Sequence, residues 1–201
     1  MKGNNIIPNY PFIKINNNCN MYFLSIRPEY HSRLFPDSLL KTEDNRVVRD
    51  ISHTNSIHKI YIGSMAGMDG LKKGDIVVIY RTADAGKPAR YSAVFTSVCV
   101  IEEYSHINDY NNENDFYEYC KKYSTFNEPE LKGYFNNKKY KHIIKMSYNI
   151  ALTKRIVRDK LLDMGIMSNF SYSGFGVLSY EQLMDIFNTS QTNESIIINQ
   201  T

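Results

Sequence analysis

Four clusters carry most of the positive charge: Lys72-Lys73, Lys121-Lys122, Lys132 with Lys138-Lys139 and Lys141, and Lys154-Arg155 with Arg158. In the third, Tyr134, Phe135 and Tyr140 interleave with the lysines. Cations alternating with aromatic rings suit a groove that neutralises phosphates and stacks bases, although each cluster alone is usually a solvated face. Catalytic constellations are harder to find. Gly63-Ser64-Met65-Ala66-Gly67-Met68-Asp69-Gly70 fits neither G-x-G-x-x-G nor a phosphate loop, since no Gly-Lys-Ser/Thr follows, so its glycines read as turn residues. There is no G-x-S-x-G elbow. His53 and His58 are five apart, which does not put two ligands on one helix face, and no metal site is argued. Cys99 and Cys120 fall on apolar stretches and read as small buried hydrophobes. Glu102 and Glu103 are adjacent on a strand and point to opposite faces, so they cannot act as a carboxylate couple and are expected as solvated charges at a strand end.

The elements that must position these groups belong to a chain of 201 residues, 42% hydrophobic and 22% charged, which is enough to build a buried core. A net charge of +3 is too small to identify a nucleic-acid partner by itself. Three scattered Cys exclude a disulfide framework, and no apolar run approaches the ~20 residues of a membrane span. Met1 to Asn20 lacks the apolar region of a secretion signal, so the expectation is a reduced, soluble, cytoplasmic protein. Sixteen Tyr and ten Phe with no Trp reflect either an AT-rich genome or aromatic surfaces that stack bases.

Met21 to Ile26 is a short β-prone run stopped by Arg27-Pro28. Asn55 to Gly63 is ambiguous between a capped helix and a strand. The turn Leu71-Lys72-Lys73-Gly74-Asp75 launches Ile76 to Tyr80, a strand apolar enough to be buried on both faces, and Tyr91 to Ile101 is expected antiparallel to it. Asp115 can cap a helix with Phe116, Tyr119, Cys120 and Tyr123 on one face. His142 to Ile150 alternates as a strand, Thr153 opens a helix ended by Gly165, and Ser179-Tyr180-Glu181-Gln182 is a capping box for a last helix. The pattern is α+β, read as a small antiparallel pseudo-barrel of five to six strands with peripheral helices. Residues 1–20 and 189–201 read as flexible tails around a domain over residues 21–188.

Three stretches resemble the EVE domains of the PUA-like superfamily. They are Tyr22-Phe23-Leu24-Ser25-Ile26-Arg27-Pro28-Glu29, Leu71-Lys72-Lys73-Gly74-Asp75-Ile76-Val77-Val78-Ile79-Tyr80-Arg81-Thr82, and Gly174-Phe175-Gly176-Val177-Leu178-Ser179-Tyr180-Glu181-Gln182-Leu183. Ile26-Arg27-Pro28-Glu29-Tyr30-His31-Ser32-Arg33-Leu34-Phe35-Pro36 is similar to a motif of the PUA/EVE-like modules that follow acetyltransferase domains in some bacterial proteins. The resemblance implies a pocket that receives a base, often a modified one, flipped from DNA or RNA. It also implies a reader without catalysis or cofactor of its own, working beside a separately encoded acetyltransferase or other effector. Carried onto this chain it puts Ser25 and Arg27 at the mouth, Ser64, Tyr80 and Arg81 along one wall, and Tyr172, Ser173 and Phe175 along the other. The family's pocket tryptophans are absent, so Tyr or Phe must supply the stacking faces. The related ASCH type, small amidohydrolases acting on modified nucleosides, is the alternative; its lysine–carboxylate pair would be Lys59 and Glu102.

Overall fold

Two of the most apolar runs, Met21–Ile26 and Ile76–Arg81, lie side by side as parallel strands, with Met21 opposite Ile76 and Ile26 opposite Arg81. All twelve residues are buried, which requires cover on both faces of the sheet. The structure, a computed structural model, describes residues 9–38, 56–168 and 174–199. In chain order the strands are β1 (Ile13–Ile15), β2 (Met21–Ile26), β3 (His58–Gly63), β4 (Ile76–Arg81), β5 (Val94–His106), β6 (His142–Val157), β7 (Phe175–Leu178) and β8 (Ile197–Asn199). The helices are α1 (Pro28–Leu34), α2 (Ala89–Ser92), α3 (Glu113–Cys120), α4 (Glu128–Asn137), α5 (Arg158–Asp163) and α6 (Tyr180–Thr189). Among the described residues none of these helices is long and apolar enough to cross a membrane.

Six strands form one mixed sheet in the order β3-β6-β5-β4-β2-β7, and β1 pairs with β8 in a separate parallel ribbon. The α+β class stands as expected. The closed pseudo-barrel does not emerge, because no pairing joins β3 to β7 among the described residues. Alternation on the central strands feeds two cores. Ile76, Val78 and Tyr80 face a cluster with Phe23, Phe95, Leu183 and Phe187, while Val77 and Ile79 face one with Leu24, Cys99, Ile144 and Met146. A third cluster packs Phe116 and Cys120 of α3 and Leu131 of α4 on Ile60, Ile62 and Ile143.

The turn before β4 is tied by one side chain. The buried Asp75 carboxylate accepts from the backbone N–H groups of Asn20 (2.8 Å) and Lys72 (2.9 Å), so one residue sets the starts of both parallel strands. Gly74 sits at φ 91°, the conformation expected of it. The capping box at Ser179 also forms, with Gln182 N–H donating to Ser179 Oγ at 3.1 Å.

Four expectations are corrected. The strand opposite β4 starts at Val94, because Pro88 opens a helical turn over Ala89–Ser92. Helix α3 is capped by Asn112, whose side chain accepts from Asp115 N–H at 2.9 Å, so Asp115 lies inside the first turn. Strand β6 continues through Thr153 to Val157, where Ile156 and Val157 pair with Phe95 and Val94; a long-range ladder overrides the local helical spacing. The segments expected as tails also carry structure. Ile13 is fully buried in the first core and pairs with Ile197, while Lys154 N–H donates to the Ser190 carbonyl at 2.8 Å. Short β-branched runs too brief to signal alone are stabilised here by each other.

Replacing Ile13 by Ala should therefore lower the unfolding free energy by roughly 2–5 kcal/mol in a urea titration; a change below about half a kcal/mol would make this end a dispensable tail.

A second prediction concerns acid. Helix α1 turns His31 into the interior, where it is completely buried and shares a 2.9 Å hydrogen bond between Nε2 and Thr96 Oγ1. Its Nδ1 has no partner. Burial, then the charges of Arg81 and Arg155, push the imidazole down from 6.5 to about 3. Between those values the unfolded chain binds a proton that the folded chain refuses. The contribution is complete above pH 6.5 and is lost as pH falls towards 3. The urea midpoint should fall across that window, and His31→Gln should remove part of the slope.

Candidate functional site

The C-terminal ends of β2 and β4 open onto a pocket of about 510 Å³, within the usual range for small-molecule sites. Its walls come from every element that ends there. Pro28 starts α1 directly after the extended Arg27, which swings Tyr30 and Leu34 over the opening. Strand β3 and the loop after it supply Tyr61, Gly63, Ser64 and Met65. Thr82 follows β4, and Gly174 with Phe175 opens β7.

The remaining wall is aromatic and has a traceable local cause. An Asn127–Glu130 capping box starts α4, and Lys138 ends it in the left-handed conformation (φ 49°). That reversal brings Tyr140 back against Tyr134. The rings run Tyr30, Phe126, Tyr134, Tyr140 with successive centroids 5.6, 5.0 and 5.2 Å apart. Phe175, which also lines the pocket, is backed by Tyr22, on which it stacks at 4.8 Å and 19°. Among the described lining residues Arg27 alone carries a full charge; there is no Asp, Glu, His, Cys or Lys. Burial pushes the Tyr134 phenol up, so it remains a neutral hydrogen-bonding group. The chemistry available is stacking, hydroxyl and backbone hydrogen bonding, and one exposed guanidinium.

Of the residues singled out from the sequence, Ser25, Arg27, Ser64 and Phe175 meet at this pocket. Ser64 and Arg27 are exposed. Ser25 contributes differently from expectation: strand alternation sets its side chain on the side of Met21 and Phe23, and its Oγ is sealed from solvent without a hydrogen-bond partner. Its backbone N–H holds the Gly174 carbonyl at 2.7 Å and so fixes the opposite wall.

Tyr80 and Arg81 do not line the pocket. Tyr80 packs edge-on to Phe95 at 5.7 Å in the first core. Arg81 is 1% exposed and donates to Asp84 at 2.7 Å and to the Thr82 carbonyl at 3.2 Å, so it anchors the loop after β4 where a phosphate contact was expected. Tyr172 and Ser173 lie outside the described residues.

Sequence reasoning missed Tyr30, Tyr61, Phe126 and Met65 as pocket residues; Tyr134 and Tyr140 it singled out only through their lysine neighbours. Lys59 and Glu102 are not brought to the pocket either. The Glu102 side chain, 7% exposed, accepts from His58 Nδ1 (2.5 Å) and pairs with Lys145 (3.1 Å), so it is a buried ion-pair centre and not a solvated charge. Lys59 is buried on the other face of β3 from His58. Among the described residues no group of His, Cys, Asp and Glu is placed to hold a metal ion.

An open mixed sheet whose parallel pair ends at a neutral aromatic pocket defines the class of domain. No protein-family model matches the sequence, and no curated protein sequence matches it. Solved structures do. The ASCH protein of Zymomonas mobilis superposes with a TM-score of 0.51 at 10% identity, covering 84% of this chain and 94% of that one. A hypothetical protein from Leishmania major gives 0.50 at 10% identity, over 87% and 96%. Human THYN1, in complex with DNA containing 5-methylcytosine, gives 0.46 at 11% identity over 87% and 99%, too loose to carry an argument about this chain. The first two establish the fold.

The Ser25→Ala variant should be as stable as the parent or about 1 kcal/mol more stable, because it removes a buried hydroxyl that has no partner. A loss of more than about 1 kcal/mol in urea would mean that the hydroxyl is satisfied.

Proposed function

We propose that this chain is a nucleic-acid-binding module whose pocket receives a single, uncharged heteroaromatic base, with modified bases the favoured class. The observation that carries the reading is an aromatic row (Tyr30, Phe126, Tyr134, Tyr140) and Phe175, itself stacked on Tyr22, in one pocket whose described lining holds no carboxylate or imidazole. The rings of the row meet one another edge to face or tilted, so single faces are offered to a planar guest, and stacking on one is worth ~1–3 kcal/mol per base. That gain offsets the few kcal/mol needed to extract a base from a helix. Ser64, Thr82 and the tyrosine hydroxyls supply neutral groups to read an edge, and Arg27 at the rim suits a phosphate.

The amidohydrolase alternative draws on one observation, the buried Lys59, close enough to Cys99 for its charge to bear on the thiol. Its intended carboxylate is engaged by His58 and Lys145, and neither Lys59 nor Glu102 lines the pocket. Hydrolysis needs a proton-transfer group within reach of the bond broken; the described lining offers hydroxyls but no carboxylate, imidazole or lysine to activate them, so binding is the better-supported reading. The separately encoded acetyltransferase gains no support from the site.

The test is a fluorescence titration against plain oligonucleotides and oligonucleotides carrying modified bases, DNA and RNA. Binding should favour one base type, and Tyr140→Ala and Phe175→Ala should each cost ~1–3 kcal/mol, with the loss greatest for that base. Absence of binding to every oligonucleotide would end the proposal. Turnover of a modified nucleoside that disappears in Lys59→Met would decide for the alternative.

A further inference from the structure

Several of the basic side chains are already engaged. Arg33 pairs with Glu130 (3.3 Å), Lys121 with Glu118 (2.5 Å), Lys132 with Glu128 (2.8 Å) and Lys145 with Glu102 (3.1 Å). Lys138 turns over Phe135 and donates to Asn108 at 3.2 Å. Lys139 and Lys141 differ. Both are exposed, and neither has a carboxylate partner among the described residues. They flank Tyr140, the last ring of the aromatic row, and the Lys139 ammonium lies 5.6 Å from its centroid.

The backbone that carries them is fixed. Lys139 N–H donates to Asn137 Oδ1 at 2.8 Å, and the Lys141 carbonyl accepts from Ile107 N–H at 2.8 Å. Two unpaired cations are therefore held at one end of a continuous row of rings whose other end, at Tyr30, adjoins the exposed Arg27.

We infer that the nucleic-acid strand flanking the inserted base leaves the pocket at the Tyr140 end of the row, with Lys139 and Lys141 holding its phosphates. This inference rests on the pocket reading above and adds the direction in which the strand leaves. A paired lysine gains little from a phosphate, since it must first give up its carboxylate; an unpaired one releases condensed counterions directly. Lys72 and Lys73 provide an internal comparison. They belong to the turn before β4, so a whole strand separates them from the pocket at its other end.

The experiment measures anisotropy of a labelled single-stranded DNA dodecamer over a series of salt concentrations with three proteins: the parent, Lys139→Ala/Lys141→Ala, and Lys72→Ala/Lys73→Ala. Each phosphate contact on a single strand contributes about 0.7 to the salt slope, so losing two should flatten it by about 1.4 and weaken binding about 25-fold near 0.1 M salt. The base preference of the pocket should survive, and the Lys72/Lys73 variant should bind as the parent does. Equal losses in both variants would reduce the effect to net charge and overturn the path. A Lys139/Lys141 variant with the parent's slope would overturn it too, leaving the pocket reading intact. A parent that binds no oligonucleotide would sink the pocket reading first.

Discussion

Burial of the parallel β2–β4 pair on both faces is the constraint from which the rest of the arrangement follows. A strand covered on two sides must present apolar side chains in both directions, and β4 does so from Ile76 to Tyr80. That demand sets the layers: α6 and the β1–β8 ribbon contribute to the cover on one side, while α1 and the segment around Met68 contribute on the other. It also limits where polarity is tolerated. The polar residues of the pair, Ser25 and Arg81, fall at its C-terminal end, where the two strands finish together because they are parallel. The same end receives the start of β7 and the end of β3, so the pocket is where the double cover gives out.

Much of this was legible in the residues, and the failures have physical causes. Ile76 to Tyr80 is so uniformly apolar that its central place could be read directly, and the capping box at Ser179 is a local interaction needing no tertiary context. What could not be read was non-local. Parallel pairing of β2 with β4 joins segments fifty-five residues apart, as the Asn20–Asp75 contact records. The extension of β6 through Thr153 depends on its ladder with β5. The termini look like tails because Ile13–Ile15 and Ile197–Asn199 are each three residues long, and each is stabilised by the other.

The site was legible to the same degree. Resemblance placed Ser25, Arg27, Ser64 and Phe175 near one another, and they meet. It misassigned Tyr80 and Arg81 because strand phase and helix cover are not visible in a motif. Tyr80 alternates towards the first core, and Arg81 is consumed by Asp84 and the loop after β4. The aromatic row escaped for a related reason. Its four rings come from α1, the turn before α4, α4 itself, and the loop after it, so no spacing rule links them. The one signal that did reach it was compositional, the interleaving of Tyr134 and Tyr140 with lysines.

The distribution of charge bears on the choice between chemistry and recognition. The most strongly buried ionic cluster among the described residues that is not a loop anchor, Glu102 with His58 and Lys145, sits beneath Tyr123 on the side of the third core. There it neutralises itself, each partner offsetting the desolvation of the other. The described lining of the pocket, by contrast, is neutral apart from Arg27 at its rim. A catalytic site needs titratable groups held where the substrate reacts; a reader needs flat walls, hydroxyls and amides, with charge only where the phosphates pass. On the proposed reading, the neutral walls would recognise the base while Lys139 and Lys141, beside Tyr140, would attract the strand. Affinity for any nucleic acid can then follow salt while discrimination among bases does not.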